Sequence, residues 1–197
     1  TSAVAKEILA KGMTAEKYNI AFETEPGLIY ARKKGVATAQ YEYLLFCDDD
    51  NWLAENYLQT AIEIMDKNPR IAILGGKGTA VFEGAKPFWF DQFEQNFAVG
   101  DQAPEKRGDL ISVETVYGAG FVARANILCT LDELGFVNLL SGRKGGKLIS
   151  GEDIELCHAV TFLGYEVWYS RQLHFQHLLH APRLPWTSVP PLYVGFG

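Results

Sequence analysis

A chain of 197 residues is long enough for one domain with a full core, and its 48% hydrophobic and 13% aromatic content excludes a disordered polymer. A formal net charge of −6 excludes a surface built to hold nucleic-acid phosphates, although a cation can still bring a small diphosphate to an acidic site. Cys47, Cys129 and Cys157 are odd in number and include no CxxC pair, so they read as reduced thiols rather than a disulfide framework.

In chain order, Val4, Ile8 and Leu9 recur at helical spacing over residues 3–10, and Gly12 ends that helix. Tyr18 to Phe22 reads as a short strand. Leu28 to Ala39, entered through Pro26-Gly27, reads as a helix, and Tyr41 to Cys47 as a buried strand because its apolar run is nearly continuous. Ala54 to Lys67 is a helix with Leu58, Ala61, Ile62 and Met65 on one face, stopped by Pro69. Ile71 to Leu74 is a second buried strand, followed by a glycine-rich run at 75–78. The stretch PFWFDQFEQNF, 87–97, mixes aromatic and polar residues. VETVYGAGFVAR, 113–124, reads as a strand broken at Gly118-Ala119-Gly120, and Ile127 to Leu134 as a helix. SGRKGGKLIS, 141–150, reads as a flexible basic loop. Ile154 to Leu163 is a helix with a stripe of Cys157, Val160 and Leu163. Glu166 to Tyr169 and Leu173 to Phe175 read as two strands, and the tail carrying Pro182, Pro185, Pro190 and Pro191 as extended chain. No internal repeat or linker interrupts the pattern. No run nears the ~18 apolar residues of a membrane span, and nothing reads as a signal peptide. The expected location is cytoplasmic, compatible with peripheral contact at the inner face of the cell membrane.

Strands alternating with helices predict an α/β sheet with parallel βαβ units, whose ligands sit at the carboxyl ends of strands. Asp48, Asp49 and Asp50 directly follow the apolar run LLFC and therefore lie at that edge. Three adjacent carboxylates repel one another and lose hydration there. A hard cation such as Mg²⁺ or Mn²⁺, bound through one or two carboxylates and substrate phosphates, removes that cost. The competing structural reading makes Asp50 or Asn51 a helix-capping group.

Gly151-Glu152-Asp153 opens a helix. Ser150 and Asp153 fit a capping box, and a carboxylate fixed at a helix start also suits a general base. His174, His177 and His180 recur every three residues, but nearby prolines oppose a long helix and no HExxH exists, so a zinc site is not expected. Phe88, Trp89 and Phe90 read as core aromatics, any exposed member being suited to stacking on a sugar ring.

Five stretches together resemble family 2 glycosyltransferases of the GT-A fold: PGLIYARKKG, YEYLLFCDDDN, VYGAGFVAR, SGEDIEL and FQHLLHAPRLPW. They occur in the family's order, and the resemblance runs over nearly all of the chain. It implies a Rossmann-like mixed sheet flanked by helices, as in nucleotide-diphospho-sugar transferases. It implies a DxD motif in which Asp50, with Asp48, ligates Mn²⁺ or Mg²⁺, and Asp48 contacts the donor nucleotide. Asp153 matches the catalytic base and Glu152 a supporting, acceptor-binding group. His177 is implied near the diphosphate or metal, and Arg32 near the nucleotide. Lys33 departs from the Asn frequent at its position. The implied reaction is inverting transfer from a nucleotide-diphospho-sugar, UDP-linked first among candidates, to a hydroxyl on a saccharide or lipid-linked acceptor. Surface polysaccharide or glycoconjugate synthesis in bacteria is the implied setting.

Relative to the family pattern the first strands are missing, so residues 1–197 are expected to be a partial GT-A domain. Self-association through an open sheet edge follows as an expectation. The alternatives are a non-catalytic carbohydrate-binding scaffold and a GT-A-like nucleotidyltransferase, which requires a glycine-rich nucleotide loop that GGKG at 75–78 supplies poorly.

Overall fold

The computed structural model describes residues 2–12, 18–103, 108–140 and 151–195, so the expected basic loop at 141–150 lies outside it. The chain runs through α1 (Ser2–Gly12), α2 (Leu28–Thr38), β1 (Tyr43–Leu45), β2 (Asn51–Leu53), α3 (Tyr57–Lys67) and β3 (Ile71–Phe82). It continues through α4 (Phe90–Phe93), a 3-10 turn at Glu94–Phe97, β4 (Leu110–Val113), β5 (Val122–Arg124) and α5 (Ala125–Glu133). It closes with α6 (Glu152–Phe162), β6 (Glu166–Leu179), two further 3-10 turns and α7 (Val189–Gly195).

The sheet is mixed, with order β1-β5-β3-β6-β2 and β4 also paired to β6. The parallel pattern expected from helix–strand alternation holds at one ladder, β3 with β6, while every other named ladder is antiparallel. β6 is long enough to serve two partners on one side, β4 along Val167–Ser170 and β2 along Phe175–His177.

Several boundaries differ from expectation. Tyr18–Phe22 forms no strand, since no ladder partner adjoins it among the described residues, and Phe22 is exposed. The strand expected at Tyr41–Cys47 is only Tyr43–Leu45 and half-buried, with Tyr41 82% exposed. β2 was not anticipated, and Asn51 opens it instead of capping a helix. The cap position of α3 is Asn56. The stretch 113–124 divides between β4 and β5, and the two short strands expected after Glu166 are one continuous β6. The tail turns and coils into α7 rather than extending, because Trp186 and Leu184 pack back on the aromatic segment.

β3 continues through its glycines for a steric reason. A Cβ on Gly76 would meet the Leu173 carbonyl at 2.5 Å, and one on Gly75 would meet Val116 at 2.6 Å. The run at 75–78 is a strand thinned so that other backbone can cross it closely, not a phosphate loop.

Apolar packing covers both faces of the sheet. α5 and α6 bury Ile127, Leu128, Leu131, Cys157 and Val160 against Ile73, Phe121 and Val167. α3 buries Tyr57, Ala61 and Met65 against Leu74, Val122 and Phe175, with Leu58 and Ile62 of its expected apolar face turned outward. A third cluster joins Trp89, Phe90 and Phe97 to Leu179 and Val189, while Phe88 is 96% exposed. One buried cation joins α3, β1 and β3. Arg124 donates to the carbonyls of Ile71 (2.9 Å) and Met65 (2.6 Å), pairs with Glu42 (3.0 Å) and lies over the Tyr43 ring.

Candidate active-site cleft

β2 explains where the acidic run goes. Asn51 pairs with His177 of β6, and the Leu178 amide donates to the Asp50 carbonyl at 2.8 Å. That register turns Asp50 toward the imidazole, with Oδ2 3.4 Å from His177 Nε2 and 3.9 Å from Arg183 Nη1. The Asn51 amide donates to the other oxygen, Oδ1, at 2.8 Å.

His177 is buried, and its Nδ1–H donates to the Phe97 carbonyl at 2.7 Å. That bond sets the tautomer and leaves the Nε2 lone pair facing Asp50 and Arg183. Burial lowers the imidazole's pKa, with Arg183 adding to the effect and Asp50 opposing it. Asp48 shifts the other way: lost hydration raises its carboxyl, Arg32 opposes the shift, and the neighbouring Asp50 reinforces it. His174 and His180 are exposed, and His180 faces Glu83, so the histidine triplet does not converge. An odd spacing along a strand sends His174 and His177 to opposite faces.

The facing wall comes from α6 and the turn before β5. Gly151, at φ 123°, holds the cap position of α6, and no side chain caps it. Ser150, the other half of the expected capping box, lies outside the described residues. The Asp153 carboxylate accepts the Gly118 N–H at 2.8 Å on Oδ2 and the Ile154 N–H at 3.0 Å on Oδ1. A Cβ on Gly118 would sit 2.7 Å from Arg32 Nη2 and 3.3 Å from Asp153 Oδ2, so a side chain there would push the guanidinium from its place.

Arg32, reaching in from α2, lies 5.7 Å from the ring centres of both Phe46 and Phe121, and 3.8 Å from Glu152 Oε1. Glu152 Oε2 is buried and has no hydrogen-bond partner among the described residues. A buried carboxylate oxygen without a partner calls for a donor, and a bound ligand is one source of it.

Asp48, Asp50, Arg32, Glu152, Asp153 and His177 therefore all line one cleft of about 740 Å³, well within the range of ligand sites. Arg183, which sequence reading passed over in a tail expected to be extended, lines it too. Among the described lining residues, Asp48, Asp49, Asp50, Glu152 and Asp153 outnumber the guanidiniums of Arg32 and Arg183, a balance suited to a cation arriving with an anionic ligand. Among the described residues no three His, Cys, Asp or Glu side chains close into a metal site by themselves. No described helix is long and apolar enough to cross a membrane.

The sequence pattern that defines Glycosyl transferase family 2 matches residues 1–128. A glucosyl-dolichyl phosphate glucuronosyltransferase of Haloferax volcanii is 23% identical over 173 residues, which cover 86% of this chain and 54% of that protein. The chain thus spans about half the length of the curated relative it matches. Among solved structures, GalNAc-T7 with UDP, GalNAc and Mn²⁺ superposes with a TM-score of 0.60 at 15% identity, covering 90% of this chain and 35% of that one. Residues 1–349 of S. aureus TarS, in complex with UDP-GlcNAc, superpose with a TM-score of 0.58 at 16% identity, covering 90% and 46%.

Proposed function

The chain belongs to glycosyl transferase family 2, and from that membership and the cleft we propose that it transfers a sugar from a UDP-linked donor to a hydroxyl of a saccharide or lipid-linked acceptor. The observation that carries this reading is the convergence of two groups on one cleft, Asp50 with His177 and Arg183, and Asp153 and Glu152 at the start of α6, with Asp48 lining the same cleft. The UDP held by GalNAc-T7 and the UDP-GlcNAc held by TarS, both superposing on this chain, support the donor class.

Asp153 takes the proton from the acceptor hydroxyl. A carboxylate has about four lone-pair sites, and the two backbone N–H groups that hold Asp153 leave room for that proton. Direct attack by the activated hydroxyl on the anomeric carbon inverts its configuration. Glu152, with its unpartnered oxygen, receives a hydroxyl of the bound sugar or acceptor. Arg183 and Arg32 supply positive charge near the leaving diphosphate and nucleotide.

The residues fit a divalent cation. Asp50 and Asp48 offer hard oxygens, and His177 offers an unprotonated Nε2 fixed by its bond to Phe97. A set too small to close alone suits an ion shared with a diphosphate. When bound, Mn²⁺ or Mg²⁺ supplies Lewis-acid stabilisation of the leaving group's charge.

The test compares two variants of the intact protein. Asp50→Ala should lose Mn²⁺-dependent UDP binding by calorimetry while staying folded. Asp153→Asn should keep that binding and lose turnover by roughly 10²–10⁴. Asp153→Asn turnover within twofold of wild type removes the base assignment, and sugar binding indifferent to both Mn²⁺ and Asp153 favours a non-catalytic scaffold. The nucleotidyltransferase alternative loses its glycine loop, since residues 75–78 lie inside β3 under crossing backbone.

A further inference from the structure

Residues 98–103 cross the sheet as a strap. The Gly100 N–H donates to the Gly78 carbonyl at 3.0 Å, and the two glycines form an isolated bridge. Asp101 pins the strap to both long strands. Its Oδ2 meets Lys77 Nζ of β3 at 2.7 Å, and its Oδ1 accepts from Tyr169 Oη and Arg171 Nε of β6, each at 2.7 Å. Arg171 also donates to the carbonyls of Ala103, at 3.1 Å, and Gly108.

Gln102, so fixed, spans from the sheet to the cleft. Its Nε2 donates to the Gly76 carbonyl at 2.8 Å, and its Oε1 accepts the Tyr117 N–H at 2.7 Å. The next amide along, Gly118 N–H, is the one that holds Asp153 Oδ2 at 2.8 Å. Gly118 also closes against Arg32. A primary amide has both the donor and the acceptor this span needs. Glutamate keeps the acceptor but sets a charge against a carbonyl. Leucine has the size and neither group. Asparagine is one methylene short.

We propose that Gln102 is a positioning residue for the transfer reaction: it sets the Tyr117–Gly118 turn and, through it, the orientation of the Asp153 carboxylate. This rests on the reading of Asp153 as the base, while the placement of the turn rests on the hydrogen bonds alone. The segment is anchored at Asp101, and Gln102 is its side-chain link to the Tyr117–Gly118 turn, so a change at Gln102 acts on the turn and leaves the Asp101 anchor in place.

The experiment compares Gln102→Leu and Gln102→Glu with the intact wild-type protein. Amide hydrogen exchange at Tyr117 and Gly118 reports the turn and needs no activity. UDP release in the presence of Mn²⁺ and a UDP-sugar reports turnover. Gln102→Leu should speed exchange at both amides while β3 and β6 keep their protection. It should also lower kcat about 10–100-fold, the scale of a misplaced catalytic group, with the donor KM within about threefold. Gln102→Glu should keep the Tyr117 amide protected and restore a substantial part of kcat. Unchanged exchange at both amides in Gln102→Leu overturns the proposal. So does an equal kcat loss in the Leu and Glu variants, or a loss that appears only in donor KM. If the turn loosens but Asp153→Asn turns over like wild type, the base assignment fails and the bracing of the turn by Gln102 stands.

Discussion

Asp101 is a single carboxylate whose surroundings set an acid limit on the fold. Loss of hydration alone would raise its pKa, but hydrogen bonds from Lys77, Tyr169 and Arg171 outweigh this and hold it at about 2. An unfolded Asp titrates near ~3.9. The folded value is the lower one, so the contribution is full above ~4 and is lost as pH falls toward 2. Urea unfolding at pH 5 and pH 2.5 should show a drop in midpoint for wild type that is smaller in Asp101→Asn. An equal drop in both would remove Asp101 from the acid response. At this scale the sequence was most informative where chemistry is written in adjacent letters. Asp48, Asp50, Glu152 and Asp153 stand beside one another in pairs and runs and do meet in the cleft. Arg183 and Gln102 were illegible because each owes its place to contacts made across the fold, with Asp50 for one and with Gly76 and Tyr117 for the other.

Among elements, helices were read more accurately than strands. A helix closes its hydrogen bonds locally, so α1, α2, α5 and α6 fell within a few residues of expectation. A strand exists only through its neighbour. Asn51–Leu53 has no alternation to announce it and is a strand because β6 lies alongside, whereas Tyr18–Phe22 has a suitable composition and no partner. Joints between elements depend on residues no periodicity marks, and Arg124 is the main one, linking the ends of α3, β1 and β3. Arg124→Ala removes the guanidinium from the Ile71 carbonyl and leaves the Met65 carbonyl only the Asn68 N–H, at 3.1 Å. It should cost about 2–3 kcal/mol in urea denaturation, the upper part of the range for buried polar groups that lose a charged donor. Arg124→Lys should recover only part of this, because an ammonium lacks the planar fork that reaches several acceptors at once. A loss below 1 kcal/mol for the alanine variant would show that other donors replace the guanidinium.

For the whole molecule, the sheet is closed on one side of β1 and open on the other. β1 pairs with β5 alone among the described residues, and the exposed Tyr41 lies beside it. Unpaired edges recruit further strands, and a lysine placed there discourages them. Sedimentation of the 197-residue chain should show concentration-dependent association that Tyr41→Lys weakens. A chain that stays monomeric at high concentration would exclude β1 as a docking edge. The glycines of β3 have a different reach. Gly75, Gly76 and Gly78 carry no reactive group, yet neighbouring atoms already occupy the space where a side chain would begin. In a saturation scan read out by activity, these positions should reject substitution as firmly as the carboxylates of the cleft. The resulting sensitivity map would show a second band running along the middle of the sheet. Taken at face value it would look like a substrate groove, although its cause is crowding, and the two are told apart because the β3 variants lose folded protein whereas Asp153→Asn loses only chemistry.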